Sequence, residues 1–352
     1  MTSVPTLDHI TRRTATTASF KETLTRLNRG DRQVILHGLP QTLGAFLLAA
    51  IQRSIERPLL VVAADEDRAE QWRDDLQTIV GEESVRYFPA WDMDIYEGRS
   101  PAQEISALRI EAVGQLAEKG KPTIVVAPAA ALIFPLIPPH ALELGTLECS
   151  VGEELRLDRV SSHLFDIGYE RVPMVDGVAQ FSQRGGIVDI YPVGSENPVR
   201  IEFFGDEIDS IRTFDVSSQR SLETQRSTRV LPAREVILTA DFNGEYVNNL
   251  ETVEAETSVE LAALRDQIEL GTSVDGIESY MAVLYGRDQG LFEYLDNPIL
   301  LYDDADEDLE EQIEKAVAPS RRDYERHAER GTLLDLERGT VEQWRAIEQV
   351  AA

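Results

Sequence analysis

A discontinuous α/β domain with a parallel sheet, interrupted by a small antiparallel α+β domain, is the architecture this sequence predicts. Three observations predict it. Strand and helix patterns alternate through residue 140. Past Pro135, Pro138 and Pro139 the strands crowd together up to residue 236. An isolated apolar run, Pro298 to Tyr302, then returns in a helical region and needs a sheet to join. Alternation of that kind argues for a parallel sheet covered by helices.

The elements follow in order. Ala18 to Leu27 is a short amphipathic helix. Gln33 to Leu36 is a compact apolar run ending near Gly38, as a buried parallel strand does. Leu43 to Ile55 is helical. Leu59 to Ala63 is a second buried strand, and Asp65 caps the next helix, whose apolar residues Ala69, Trp72, Leu76 and Ile79 recur at helical spacing. Val85 to Phe88 is a third strand. After the loop from Trp91 to Pro101, a helix carries Ile105, Leu108, Ala112 and Leu116 on one face, and Ile124 to Ala127 is a fourth strand.

The second region, from about residue 142, contains one helix near 154–167. Val178 to Tyr191 reads as a strand kinked at Gly185-Gly186. Val199 to Phe204 turns at Gly205-Asp206 into Ile208 to Phe214, a hairpin signal. Helix resumes with Val247 to Gln267 and, after the returning strand, with Asp306 to Ala328. Thr340 to Ala352 carries no capping or turn signal. The expected division is 1–140, 141–236 as an insert, and 237–352.

Composition narrows the function. The net charge is −29, and the lysines are Lys21, Lys119, Lys121 and Lys315. So negative a surface repels phosphate and disfavours duplex DNA. A high-salt or solubility adaptation is the first reading of the charge and a preference for protein partners the second; charge alone does not separate them. One cysteine, Cys149, excludes an intrachain disulfide, and five scattered histidines offer no ligand spacing, so no metal is expected. No apolar run approaches the roughly 20 residues of a membrane span, and Met1 to Arg13 lacks a signal-peptide core. Cytoplasm and no membrane contact are the expectations.

The segment after residue 36 has the context of a phosphate-binding loop without its chemistry. Such a loop needs glycines to let backbone N–H groups cradle phosphate, a lysine for charge and a hydroxyl for Mg²⁺. Counting from Gly38, Leu43 stands at the second glycine, Gly44 at the lysine and Ala45 at the hydroxyl. A coincidental loop and a decayed nucleotide loop both predict no ATP hydrolysis and no cofactor.

The hairpin carries the specific signal. Arg200-Ile201-Glu202-Phe203-Phe204-Gly205-Asp206-Glu207-Ile208-Asp209-Ser210-Ile211-Arg212 resembles the R-x-E-F-F-G-D-E-I-D-x-I-R stretch shared by UvrB and the bacterial transcription-repair coupling factor family (Mfd). Phe181 to Pro192 is similar to that family's R-G-x-x-x-D-[IL]-[FY]-P segment. The short link from Phe88-Pro89-Ala90-Trp91 to Ser100-Pro101 and the stretch Gly276-Ile277-Glu278-Ser279-Tyr280 resemble the coupling factors in particular. UvrB itself keeps a working phosphate loop and a long aromatic hairpin after a Tyr-rich segment of its first domain, and neither is found here.

The resemblance implies a RecA/helicase-like parallel-sheet domain (1a and 1b) with an inserted domain 2 that binds UvrA and recruits it in transcription-coupled nucleotide excision repair. It implies a module with no catalysis of its own. RNA polymerase and DNA are expected partners of other parts of the family chain, because no second strand–GxxxxGK[ST]–helix occurs here. A fragment, or a form working with a separate motor, is the expectation. The family's UvrA-contacting arginines fall on Arg171 and Arg184, with Phe181 as an aromatic neighbour. A further arginine of UvrB is Ser182 here. An arginine beside an aromatic is a common interface pairing. The residues alone leave open Arg184 pairing with Asp189 and Phe181 serving as core. They also leave open which of Phe203 and Phe204 is exposed. Asp92, Asp94, Glu97 and Glu104 read as a solvated loop. A UvrB-type damage-binding helicase subunit is the alternative function, and a module masked by a distal domain is a regulatory variant of the first.

Overall fold

In the computed structural model, the described residues are 7–30, 34, 36, 39–55, 57–118, 123–257, 260–272, 274–285 and 290–302, with 311, 314, 315, 318, 321 and 322. The chain starts with helices α1 (Leu7–Thr14), α2 (Ala18–Arg29) and α3 (Gln41–Gln52). Strand β1 (Leu59–Ala63) follows, then α4 (Glu66–Val80), β2 (Val85–Tyr87), α5 (Gln103–Ala117) and β3 (Ile124–Pro128). Asp65 caps α4 as its sequence position demands: its side chain accepts from Arg68 N at 2.8 Å, satisfying an otherwise unpaired donor of the first turn.

The strand expected at 33–36 falls largely outside the described residues, and Val34 and Leu36 carry no regular structure. Gly38 and nearly all of the helix expected at 306–328 also lie outside them, as does 340–352.

Beyond β3 the chain forms α6 (Pro139–Gly145), β4 (Leu147–Ser150), α7 (Leu157–Asp166), β5 (Glu170–Arg171), β6 (Gln180–Arg184) and β7 (Ile187–Ile190). Strands β8 (Val199–Phe204), β9 (Glu207–Phe214), β10 (Ser221–Gln225) and β11 (Ser227–Val230) complete this region. Helices α8 (Ala240–Thr257), α9 (Ala262–Glu269) and α10 (Met281–Leu284) lead to strand β12 (Ile299–Tyr302).

Two sheets organise these elements. The first has order β12-β1-β3-β2 and is parallel throughout. The returning strand β12 pairs with β1 from Leu59↔Ile299 to Val62↔Tyr302, so the parallel sheet is discontinuous in sequence. The second sheet has order β10-β9-β8-β7-β6-β5, antiparallel except where β5 runs parallel to β6. Strands β4 and β11 form a separate ribbon.

Alternating side chains of β1 feed two cores. Leu59, Val61 and Ala63 pack with α3 and α4, through Ala45, Leu48, Trp72 and Leu76. Leu60 and Val62 pack with Phe88, Trp91, Ile110 and Val113, and this second core continues without a break into Val188, Ile190, Ile201 and Ile211 of the antiparallel sheet. The two sheets therefore share one packed interior.

Three sequence expectations are corrected. Val178 to Tyr191 is not one kinked strand: Gly185, at φ 61°, lets the chain turn, and β6 and β7 pair antiparallel from Phe181↔Ile190 to Arg184↔Ile187. The helix expected over 247–267 is two helices, α8 starting at Ala240 and α9 ending at Glu269. The buried face of α5 runs through Ser106, Arg109, Ile110 and Val113 rather than through Leu108, which is exposed. Arg109 hides that face from a hydrophobic count because its charge is neutralised inside the core.

Arg109 and Glu235 are 0% exposed and form a two-pronged ion pair, Nε to Oε1 at 2.7 Å and Nη2 to Oε2 at 3.2 Å. Arg109 also donates to Pro89 O at 3.0 Å and lies over the rings of Phe88 and Trp91 at 4.3 and 5.4 Å. Trp91 Nε1 donates to Glu235 Oε1 at 2.8 Å. A fully buried guanidinium is tolerable only with its donors satisfied in this way. The segment leaving the ribbon strand β11 is thereby fixed to α5. Close packing extends the joint: a Cβ on Gly114 would sit 2.5 Å from Leu231.

Among the described residues no helix is long and apolar enough to cross a membrane, and no group of three His, Cys, Asp or Glu side chains is placed to hold a metal ion.

Candidate partner-docking site

The site is built on the six-stranded sheet, whose two faces differ. One face, carrying Phe181, Gln183, Val188, Ile190, Ile201 and Ile211, turns to the core and to α7, where Ser161 Oγ donates to Gln183 Oε1 at 2.8 Å. The opposite face carries two cross-strand rows set by the register. Ser182, Asp189, Arg200 and Arg212 form one; Arg184, Ile187, Glu202 and Ser210 form the other.

The first row is half covered. The segment after β5 folds over it, with Ser182 Oγ donating to Pro173 O at 3.1 Å and Val175 buried. Asp189, its side chain 3% exposed, is gripped by the Arg200 fork at 2.6 and 2.8 Å, and Arg200 lies over the Phe214 ring at 4.7 Å. That hydrogen-bonded pairing raises the Arg200 pKa still further. Arg184 reaches the same carboxylate by a single contact of 3.4 Å and keeps 58% of its side chain exposed. Both Asp189 oxygens are already held by Arg200, so the long Arg184 contact adds little and Arg184 retains donors for a partner.

The second row is open. Glu202 accepts from Ser210 Oγ at 3.1 Å and from Arg212 Nη2 at 3.2 Å. Ile187 and Phe204 are exposed, as is Met174 on the covering segment. Sequence reasoning had left Phe204 undecided and had not singled out Ile187. The hairpin alternation could have separated Phe203, partly buried against the core, from Phe204.

The three expected contact residues are not brought together as one patch. Arg171 is exposed on the edge strand β5, in register with Phe181. Since i and i+3 of a strand face opposite ways, that level of the sheet faces away from Arg184. Phe181 is 1% exposed inside the core. Its reading as a contact is corrected: the residue beside an interface arginine is here a core residue, because the register pairs it with Ile190 on the packed face.

The helix start that follows the loop resembling a nucleotide site is packed at its lysine and hydroxyl positions. α3 begins just after Pro40, and Leu43 is exposed. Gly44 lies against Trp72 so tightly that a Cβ would sit 2.6 Å from Trp72 Cη2, and Ala45 is buried. The lysine position of a phosphate loop therefore points into a filled core.

The acidic loop is held by arginine. Arg99 binds Glu97 at 2.6 Å and Asp92 at 3.3 Å, while Asp92 also accepts from Ala102 N at 2.9 Å; burial raises the Asp92 pKa but these bonds outweigh it and lower it overall. The same loop explains the Gly276-Ile277-Glu278 stretch. Ser100 N donates to Asp275 Oδ1 at 2.8 Å, Ser100 Oγ to Glu278 Oε2 at 2.6 Å, and Gly276 N to Ser100 Oγ at 3.0 Å. Gly276, at φ 76°, approaches Gly98 so closely that a Cβ would sit 2.7 Å from its carbonyl carbon. Burial pushes the Glu278 carboxyl pKa up.

Comparison with known proteins adds to this geometry. Residues 147–236 match the UvrB interaction domain family. The chain is similar to transcription-repair-coupling factors. It is 30% identical to that of Bacillus subtilis over 315 residues, covering 85% of this chain and 27% of that protein. It is 32% identical to that of Haemophilus influenzae over 299 residues, covering 84% and 25%. It is 28% identical to that of Escherichia coli over 302 residues, covering 84% and 26%. The chain spans about a quarter of the length of these relatives.

Proposed function

The chain is related to the N-terminal, UvrB-like module of transcription-repair-coupling factors, and from that premise we propose that it is a docking platform that binds UvrA and performs no catalysis itself. The observation that carries this reading is the match of residues 147–236 to the UvrB interaction domain, on a sheet whose outer face leaves an arginine accessible. Arg184 is the central contact, and Arg171 a second one at the sheet edge. The three-part division near residues 140 and 236 belongs to the same reading. ATP binding and hydrolysis are absent from this module, because the position a phosphate-gripping lysine needs is packed against Trp72. RNA polymerase and DNA engage, on this reading, parts of the related proteins that this chain does not match.

Arg184→Ala tests the site. Its side chain is mostly exposed and its bond to Asp189 is duplicated by Arg200, so folding stability should change by less than about 0.5 kcal/mol. Affinity for purified UvrA, measured by calorimetric titration, should fall about tenfold or more, the scale of an interface arginine. Affinity unchanged in a folded variant removes Arg184 from the contact surface.

A further inference from the structure

At the edge of the inserted sheet formed by β10 lies an open cleft of about 590 Å³, a size common among ligand sites. Its walls are β10, β9 and the segment 195–197. The register puts it on the side turned away from Arg184. Thr213 and Gln225, which line it, stand opposite Val199 and Ile211 of the inward-facing row. Two residues of β10, Leu222 and Glu223, oppose the single Thr213, because the register shifts between Ser221 and Thr224. A bulge of this kind re-aims side chains, and both residues line the cleft. Glu223 N donates to Thr213 Oγ1 at 3.1 Å, which fixes the bulge.

The lining is chemically one-sided. It holds two carboxylates, Glu196 and Glu223, the amides of Asn197 and Gln225, and no lysine or arginine. Among the described residues neither carboxylate makes an ion pair, and neither amide side chain hydrogen-bonds to the protein. Beside the cleft, β10 is the last strand of its sheet, so its outer edge offers backbone donors and acceptors. Leu222 is 55% exposed at the rim. An open edge, an apolar rim residue and unmatched acids together fit an extended chain that adds to the edge and turns a cation inward. We propose that this cleft binds an extended basic segment of a partner protein, with an arginine side chain seated between Glu196 and Glu223. The site is separate from the arginine face, and the proposal does not depend on UvrA binding there.

The test is fluorescence anisotropy of a labelled, blocked peptide alternating arginine and valine, titrated with the 352-residue chain. As a strand, this peptide puts every arginine on one face. A net charge of −29 attracts any cationic peptide, so a control variant is needed: Glu82→Gln with Glu83→Gln, two exposed acids outside the inserted sheet. Glu196→Gln with Glu223→Gln should leave the melting temperature unchanged, since neither acid is ion-paired, and weaken binding about fivefold or more. The control should stay within about twofold of wild type, and the peptide with citrulline in place of arginine should bind about fivefold more weakly or worse. Equal weakening in the two double variants would mean diffuse surface attraction and overturns the proposal. No binding by the folded wild type also overturns it, and leaves the acids as guards of an open edge.

Discussion

Glu235→Ala is expected to cost about 3–5 kcal/mol of folding stability, the usual penalty for stranding one member of a buried ion pair. Arg109 would keep its charge inside a core where both partners are 0% exposed. Two of its donors and the Trp91 Nε1–H would lose their acceptor together. The remaining bonds, to Pro89 O and Pro135 O, hold the guanidinium in place and prevent escape to solvent. Urea unfolding of the variant and wild type measures the loss. Replacing both residues, Arg109→Met with Glu235→Leu, should recover much of it, since a buried pair is worth little against well-packed apolar groups. A loss under about 1 kcal/mol for Glu235→Ala would mean that water reaches the pair.

Gly44→Lys, the substitution that restores the charge of a phosphate loop, is expected to destabilise the protein by about 3 kcal/mol or more and to create no nucleotide site. Gly44 is the fourth residue of α3, and a glycine inside a helix replaced by a better helix former ordinarily gains at most about 1 kcal/mol. Here the first side-chain carbon already overlaps Trp72, with 2.6 Å to Cη2. Trp72, on α4, is itself 3% exposed in the core that α3, α4 and β1 share, so its ring has little room to retreat. Overpacking and an unpaired buried ammonium add to the cost. Urea unfolding reads the first effect, and titration with a fluorescent ATP analogue and Mg²⁺ reads the second. A stable variant that binds the analogue would contradict this account of the loop.

How much of this was legible in the sequence differs from element to element. Buried parallel strands such as Leu59–Ala63 announced themselves as unbroken apolar runs, and the Gly205-Asp206 hairpin by its alternation around a turn. The returning strand at Ile299 was inferred from its need for a sheet, and it pairs with β1. Gly185-Gly186 was misread because a glycine pair marks a bulge and a tight turn equally well. Arg109 was missed because an arginine inside an apolar face counts as polar until its partner, 126 positions away, is known. Phe181 was misassigned because the family motif names a neighbourhood, while strand parity decides which residue of it faces out. The Gly276-Ile277-Glu278 stretch was noticed as a likeness only. Its physical reason, a serine of the 98–100 loop seated between Gly276 N and Glu278, needs the fold.

The central claim is that this chain recognises a protein through its inserted sheet, on a scaffold with no nucleotide grip. Titrating purified UvrA into the folded chain, with and without ATP, tests it most directly. The account predicts a saturable complex whose affinity gains nothing from ATP bound to this chain and falls when Arg184 is truncated. A folded chain that leaves UvrA unbound under both conditions would contradict it.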